Sequence, residues 1–258
     1  APNFVPLPIF DGRLGARSTT ALPMQGTKGG ETVDNPGENG IIVGRDTEGA
    51  GETIDKLLKQ SQCSFEDFYK YLNKINSNYA DTFVKTGKWP SDIQIPKSPD
   101  VLYSDGSINW DKAPKGGYVL DSVGNAIKDK LIPEQGKIID RYGSPEGRYA
   151  SPVNDNKPYS YTQRALPFVE NPSNYHRYKI KGDFTKIQDY VSNCSDAKTK
   201  EDIDAYVTTY YNGDYRKLVS YFGEIASIKG WGEGGGIQYE LPLKIKWLIR
   251  IGLLEEIF

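Results

Sequence analysis

The stretch Gly230-Trp231-Gly232-Glu233-Gly234-Gly235-Gly236 runs directly into Ile237-Gln238-Tyr239-Glu240-Leu241, and the order of these two pieces constrains the fold most. The second piece alternates, with Ile237, Tyr239 and Leu241 on one face of a strand and Gln238 and Glu240 on the other. A glycine loop that cradles a dinucleotide follows a strand and opens a helix. Here the loop precedes the strand, so it does not announce a doubly wound dinucleotide fold. It reads either as a flexible turn or as a loop whose backbone, lacking Cβ atoms, approaches a ligand closely.

Two other short segments, Lys137–Tyr142 and Tyr175–Ile180, are candidate strands. Between Tyr178 and Gly234 the pattern turns helical. Thr199 and Asp202 resemble a capping box, and Tyr215, Leu218, Val219, Phe222 and Ile225 make an apolar stripe at helical spacing. Pro242 fits the first turn of a closing helix that uses Leu243, Trp247, Leu248, Ile251 and Leu254. Upstream, Thr53–Gln60 reads as a helix. Ser64 is the N-cap of another, whose stripe is Phe65, Phe68, Tyr69, Leu72, Ile75 and Asn76. Residues 1–52 hold prolines, then dense glycine, with little apolar surface to offset the entropy of ordering them. They read as a Gly/Pro-rich arm or linker, docked through Phe4, Val5 and Phe10. The expected organisation is therefore an arm at 1–52, a helical region at 53–100, and an α+β domain at 101–258 with a helical insertion at about 185–230.

Composition removes several functions. With 32 Lys and Arg against 34 Asp and Glu, the net charge of −2 offers no bulk attraction to nucleic acid or an anionic membrane. No apolar run reaches the length of a membrane span. Two cysteines, Cys63 and Cys194, and one histidine, His176, are too few and too scattered for a zinc site, and no metal is expected. The cysteines form one disulfide or stay as thiols; the sequence leaves both open. The chain begins Ala1-Pro2, which reads as a processed or excised piece. Neither a phosphate loop of the Walker type nor a Gly-x-Ser-x-Gly elbow is present. Arg141, Arg148 and Arg164 read either as surface arginines, the default, or together as an anion site, since their guanidinium forks suit phosphate oxygens.

One set of motifs carries a resemblance. Ile139-Asp140-Arg141-Tyr142-Gly143-Ser144-Pro145-Glu146-Gly147-Arg148-Tyr149, followed by Ser151-Pro152, resembles the opening motif of the tuberculosis necrotizing toxin family of NAD glycohydrolases. Arg164-Ala165-Leu166-Pro167, Tyr175-His176-Arg177-Tyr178, Gly234-Gly235-Gly236-Ile237-Gln238-Tyr239 and Leu253-Leu254-Glu255-Glu256 follow in the family's order. The resemblance covers residues 101–258. It departs from compact bacterial members in the long stretch from Tyr178 to Gly234, and nothing before residue 101 matches.

The resemblance implies an α+β fold with a small mixed or antiparallel sheet, distantly like the ADP-ribosylating toxins. It further implies an exported protein that hydrolyses the nicotinamide–ribose bond of NAD in a target cell, with NAD as substrate, no cofactor, and a cognate immunity protein as partner. The implied site residues are Arg141, Tyr149, Arg164, His176 and Gln238, with Gln238, Arg141 and His176 catalytic. An ADP-ribosyltransferase acting on a macromolecule, or a non-catalytic exported module, is the alternative. Glu240 shares a strand face with Gln238 and is expected as a solvated edge carboxylate, with a charge near an oxocarbenium as the second reading.

Overall fold

A computed structural model describes residues 47–258; most of the arm expected at 1–52 lies outside the described residues. The chain divides into two compact units, Lys112–Leu166 with Pro172–Phe258 and, among described residues, 47–111 with Pro167–Asn171.

The second of these is helical. Helices α1 (Thr47–Gln60), α2 (Phe65–Ile75) and α3 (Ser77–Thr86) precede an irregular segment. Ser64 caps α2 as expected: its side chain accepts from the Asp67 amide while the Asp67 carboxylate accepts from the Ser64 amide, satisfying two otherwise orphaned donors. Phe68 and Leu72 of the predicted stripe are buried, but Phe65 is exposed and Tyr71 takes a core place instead. Tyr71, Phe68 and Phe83 surround Trp89 with ring centroids 5.2 to 6.0 Å away. Residues 167–171 belong here because Phe168 bridges Pro96 and the Val169 amide donates to the Ile95 carbonyl.

The other unit is built on a seven-stranded sheet. Its strands are β1 (Asp129–Leu131), β2 (Ile138–Tyr142), β3 (Tyr149–Pro152), β4 (Tyr175–Ile180), β5 (Ser220–Glu224), β6 (Ile237–Glu240) and β7 (Leu254–Glu256). They lie in the order β1-β5-β6-β3-β2-β4-β7, each pair antiparallel. With helices α4 (Ile187–Ser192), α5 (Ala197–Tyr211) and α6 (Ile245–Arg250) this is the α+β class that the sequence implies. One face of the sheet supplies Ile139, Ala150, Tyr178 and Ile180 to a core completed by Ile187, Val191, Ile203, Val207 and Leu248 of the helices.

Three local expectations are corrected. Tyr215–Ile225 is not a helix: a short 3-10 turn over Tyr215–Lys217 is followed by strand β5, which pairs with both β1 and β6. Its helical spacing is overridden by the ladder hydrogen bonds that two neighbouring strands supply. The cap of α5 is Asp196, whose carboxylate accepts from the Lys198 and Thr199 amides; the Thr199 hydroxyl donates back to it at 2.8 Å. And α6 starts only at Ile245, beyond Pro242, with Leu254 already in β7. Its first amides, Ile245 and Lys246, donate to the Gly147 and Pro145 carbonyls of the loop joining β2 to β3, so that loop stands where a side-chain cap would.

Candidate functional site

Strand register sorts the implied residues by face. Asp140 lies opposite Ser151, and Tyr149 opposite Glu240. Asp140, Ser151, Tyr149, Gln238 and Glu240 therefore share the face turned away from Ile139 and Ala150. Arg141 lies opposite His176, and Ile139 opposite Tyr178, so Arg141 and His176 belong in register to the other face.

A small cavity opens on the polar face. Its walls include Asp140, Arg141, Tyr149, Ser151, Arg164 and Gln238. His176 does not line it. The cavity volume is about 30 Å³, enough for a water or two and far too little for a dinucleotide.

Each polar wall has a defined partner. Asp140 is completely buried and accepts Arg164 in a fork, Nη1 to Oδ1 at 2.6 Å and Nη2 to Oδ2 at 2.7 Å, while the Tyr175 hydroxyl donates to Oδ2 at 2.8 Å. Parallel donors of this kind are the strongest that a buried carboxylate can receive. Arg164 also donates to the Tyr159 carbonyl, and its guanidinium lies over the Tyr142 ring at 5.2 Å. Gln238 donates from Nε2 to the Gly116 carbonyl at 3.0 Å.

That carbonyl belongs to a turn the sequence reading did not place in the site. Lys115, Gly116 and Gly117 have φ of 55°, 80° and 77°, a left-handed path that glycine follows without penalty. The turn presses so closely on the site that a Cβ at Gly116 would lie 2.8 Å from the Tyr149 hydroxyl. Gly147 has a comparable duty. Arg141 donates to the Ser144 carbonyl at 2.7 Å and the Tyr149 carbonyl at 3.0 Å, knotting the β2–β3 loop around its guanidinium. A Cβ at Gly147 would sit 2.3 Å from Arg141 Nη2. Arg141 thus builds the loop that delivers Tyr149.

At Gly232 and Gly234 the glycine run packs closely against main chain, whereas Gly230 and Gly235 face open space. A Cβ at Gly232 would meet the Thr162 carbonyl at 2.4 Å, and one at Gly234 would meet the Ala226 backbone at 2.5 Å. The Gly234 and Gly236 amides donate to the Thr162 and Gln163 carbonyls. Main chain packs on main chain, and what the run seats is the 3-10 turn Thr162–Arg164, which aims Arg164 at Asp140.

Glu240 corrects an expectation. It is buried on an internal strand, not solvated at an edge. The Tyr149 hydroxyl donates to its Oε1 at 2.9 Å, and Lys128 Nζ lies 3.1 and 3.3 Å from its two oxygens. Arg148, also buried, places Nη2 4.0 Å from Oε2. His176 sits on the other face with Nδ1 2.7 Å from Glu256 Oε1. Cys63 and Cys194 are free thiols. Among the described residues no cluster of three or more His, Cys, Asp or Glu is arranged to hold a metal, and no helix is long and apolar enough to cross a membrane.

Sequence reasoning missed Asp140 and the Gly116 turn as parts of the site. Asp140 was findable: an acid inside a strand expected to be buried needs a cation, and Arg164 was already singled out. Lys115-Gly116-Gly117 reads as a turn, but its place in the site does not follow, because that rests on contacts with Gln238 and Tyr149 far along the chain.

Comparison with known proteins finds no match among curated proteins. Among solved structures, the tuberculosis necrotizing toxin complexed with its immunity factor IFT is 22% identical with a TM-score of 0.34, covering 55% of this chain and 59% of that one. Rhs1-CT in complex with its cognate immunity protein RhsI1 is 13% identical with a TM-score of 0.28, covering 52% of this chain and 80% of that one. The chain thus spans less than two thirds of the length of the first of these. The sequence profile described as Tuberculosis necrotizing toxin matches residues 133–196. That segment contains β2, β3 and β4 with Asp140, Tyr149, Arg164 and His176, so over residues 133–196 the chain is similar to the tuberculosis necrotizing toxin family.

Proposed function

We propose that the unit holding residues 112–166 and 172–258 is an NAD glycohydrolase, exported as a toxin, that releases nicotinamide and ADP-ribose. The observation that carries this reading is the convergence of Arg141, Tyr149, Arg164 and Gln238, four of the five residues the resemblance implies, on one cavity of the sheet. The reading takes NAD as substrate with no resident cofactor, and a cognate immunity protein as partner.

The chemistry asks little of an acid. The nicotinamide ring is cationic in NAD, so the C1′–N bond breaks with its electron pair passing to nitrogen and a neutral ring departs. An ordinary glycoside instead needs its leaving oxygen protonated. Water then adds to C1′ and releases its proton to solvent. The protein's task is to hold the dinucleotide and stabilise cationic charge on the ribose. In this reading Arg164 exchanges part of its bonding to Asp140 for a pyrophosphate oxygen, and Tyr149 packs on the ribose or a base. Gln238 turns its amide from the Gly116 carbonyl to the ribose hydroxyls or the attacking water. Since about 30 Å³ cannot seat a dinucleotide, the cavity takes only part of the substrate and the rest lies outside it. Arg141 acts through the loop it holds, and His176 through the β4–β7 edge.

Purified protein incubated with NAD should yield equimolar nicotinamide and ADP-ribose by chromatography. Gln238→Ala should lower kcat at least about 100-fold, the scale for losing a group that acts in the transition state, while circular dichroism stays unchanged. Intact NAD, or a Gln238→Ala variant with full activity, overturns the assignment. Label appearing on added macromolecules instead of as free ADP-ribose identifies a transferase.

A further inference from the structure

The geometry points to Glu240 as a positioning residue for Tyr149: its carboxylate tethers the phenol and so fixes the ring that walls the cavity beside Gln238. This rests on the glycohydrolase reading of the same site. Glu240 is 7% exposed and does not line the cavity, so it is not proposed to touch substrate. It acts from behind. Tyr149 and Glu240 are direct cross-strand partners of β3 and β6, and the hydroxyl-to-Oε1 distance of 2.9 Å is a good hydrogen bond.

A tyrosine attached only through χ1 and χ2 can swing its ring; one whose hydroxyl is held at the far end cannot. The tether is itself fixed. Lys128 Nζ reaches both carboxylate oxygens, and the same ammonium lies 4.4 Å from the Tyr221 ring centroid and 5.5 Å from that of Tyr118. Lys128 is thereby held between two aromatic faces, and with Arg148 it neutralises a charge that would otherwise be costly on an internal strand. Gln238 stands two residues before Glu240 on the same face. One short strand therefore carries both the amide that would meet the reacting ribose and the carboxylate that would aim the neighbouring ring.

The test is a double-mutant cycle on NAD cleavage with thermal unfolding measured alongside. Tyr149→Phe keeps the ring and cuts the tether at one end; Glu240→Leu cuts it at the other. Each should lower kcat about tenfold, within the range expected when a positioning group is lost, with KM changed less than about twofold. The double variant should be no slower than either single one. Glu240→Gln should rescue most of the rate, since its amide bonds the phenol in either orientation.

If Glu240→Leu fails to fold, the Tyr149→Phe and Glu240→Gln pair still decides the matter. A Tyr149→Phe enzyme as fast as the parent overturns the tether. So does a Glu240→Gln enzyme as slow as a tether-cut variant, which would give the charge itself the role. Multiplying losses in the double variant also count against it. A parent protein that does not cleave NAD overturns the glycohydrolase reading and this inference together, whereas the other failures leave hydrolysis standing.

Discussion

On one face of the sheet, β2, β3 and β6 present Ile139, Ala150 and Tyr239; on the other, one residue along, they present Asp140, Tyr149 with Ser151, and Gln238 with Glu240. Asp140, Ser151, Gln238 and Glu240 are buried like Ile139 and Ala150, whereas Tyr239 is only half-buried. The helix-covered face is held by contacts that any well-fitting hydrocarbon can make. The polar face instead depends on particular partners. Burying a carboxylate costs several kcal/mol unless donors replace the water it loses, and Asp140 has three and Glu240 a phenol and an ammonium. The difference locates function: a fold seeking only stability would have no use for such a face.

The sharpest way to break the comparison is to truncate one residue on each side. Asp140→Ala leaves Arg164 buried without its counter-charge and should cost about 3–5 kcal/mol in urea unfolding. Ile139→Ala, its neighbour on the other face, should cost about 2–5 kcal/mol through the cavity it opens. The two losses should differ in how they are repaired. Asp140→Leu combined with Arg164→Met should recover most of the stability, because an apolar pair of similar volume removes both desolvation penalties. NAD cleavage should stay absent. A double variant that regains activity along with stability would make the Asp140–Arg164 pair a structural element only.

These two faces were unequally legible in the sequence. The strand Ile237–Glu240 follows from alternation, which survives whatever packs against each side, whereas Ile138–Tyr142 and Tyr175–Ile180 follow from short runs rich in β-branched and aromatic residues. Burial of the polar side does not follow from alternation, which is why Glu240 reads as a solvated edge acid. Its depth is set by β5 and β3 flanking β6 and by Lys128, 112 residues away in the chain. The same long-range pairing explains β5, whose residues space like a helix until β1 and β6 claim their hydrogen bonds. The short motifs were legible in identity but not in duty. Arg141 donates to main chain and also lines the cavity, and nothing in the motif's spacing separates support from contact with a ligand.

A smaller effect tests whether Arg141 is spent on the loop. Gly147→Ala places a Cβ against a buried guanidinium that is itself pinned to the Ser144 and Tyr149 carbonyls. The strain should cost about 1–3 kcal/mol, the usual range for overpacking. In an Arg141→Ala background the clash has no partner, and adding Gly147→Ala should change stability by less than about 0.5 kcal/mol. Additive losses would mean that the Gly147 position is constrained by something other than Arg141.

The smallest expected effect lies in the same loop, at its solvent rim, where screening replaces burial. Lys244 and Lys246 place their Nζ atoms 2.9 and 3.2 Å from Glu146. Partial burial alone would raise the Glu146 carboxyl, but the two ammonium groups outweigh it and hold the group below its ordinary range. A carboxyl depressed in the folded state binds its proton less readily there than in the unfolded chain, so it stabilises the fold above its unfolded value and that contribution disappears as pH falls through the folded one. Unfolding free energies of the parent and Glu146→Gln should therefore differ at pH 6 by under about 1 kcal/mol, as for other solvent-screened pairs, and converge as pH falls below about 4, where Glu titrates in unfolded chains. Raising the salt concentration should narrow the gap at pH 6, whereas the Asp140→Ala deficit, arising where water is excluded, should persist in the same buffer. A salt-insensitive Glu146 difference would place this rim with the buried face.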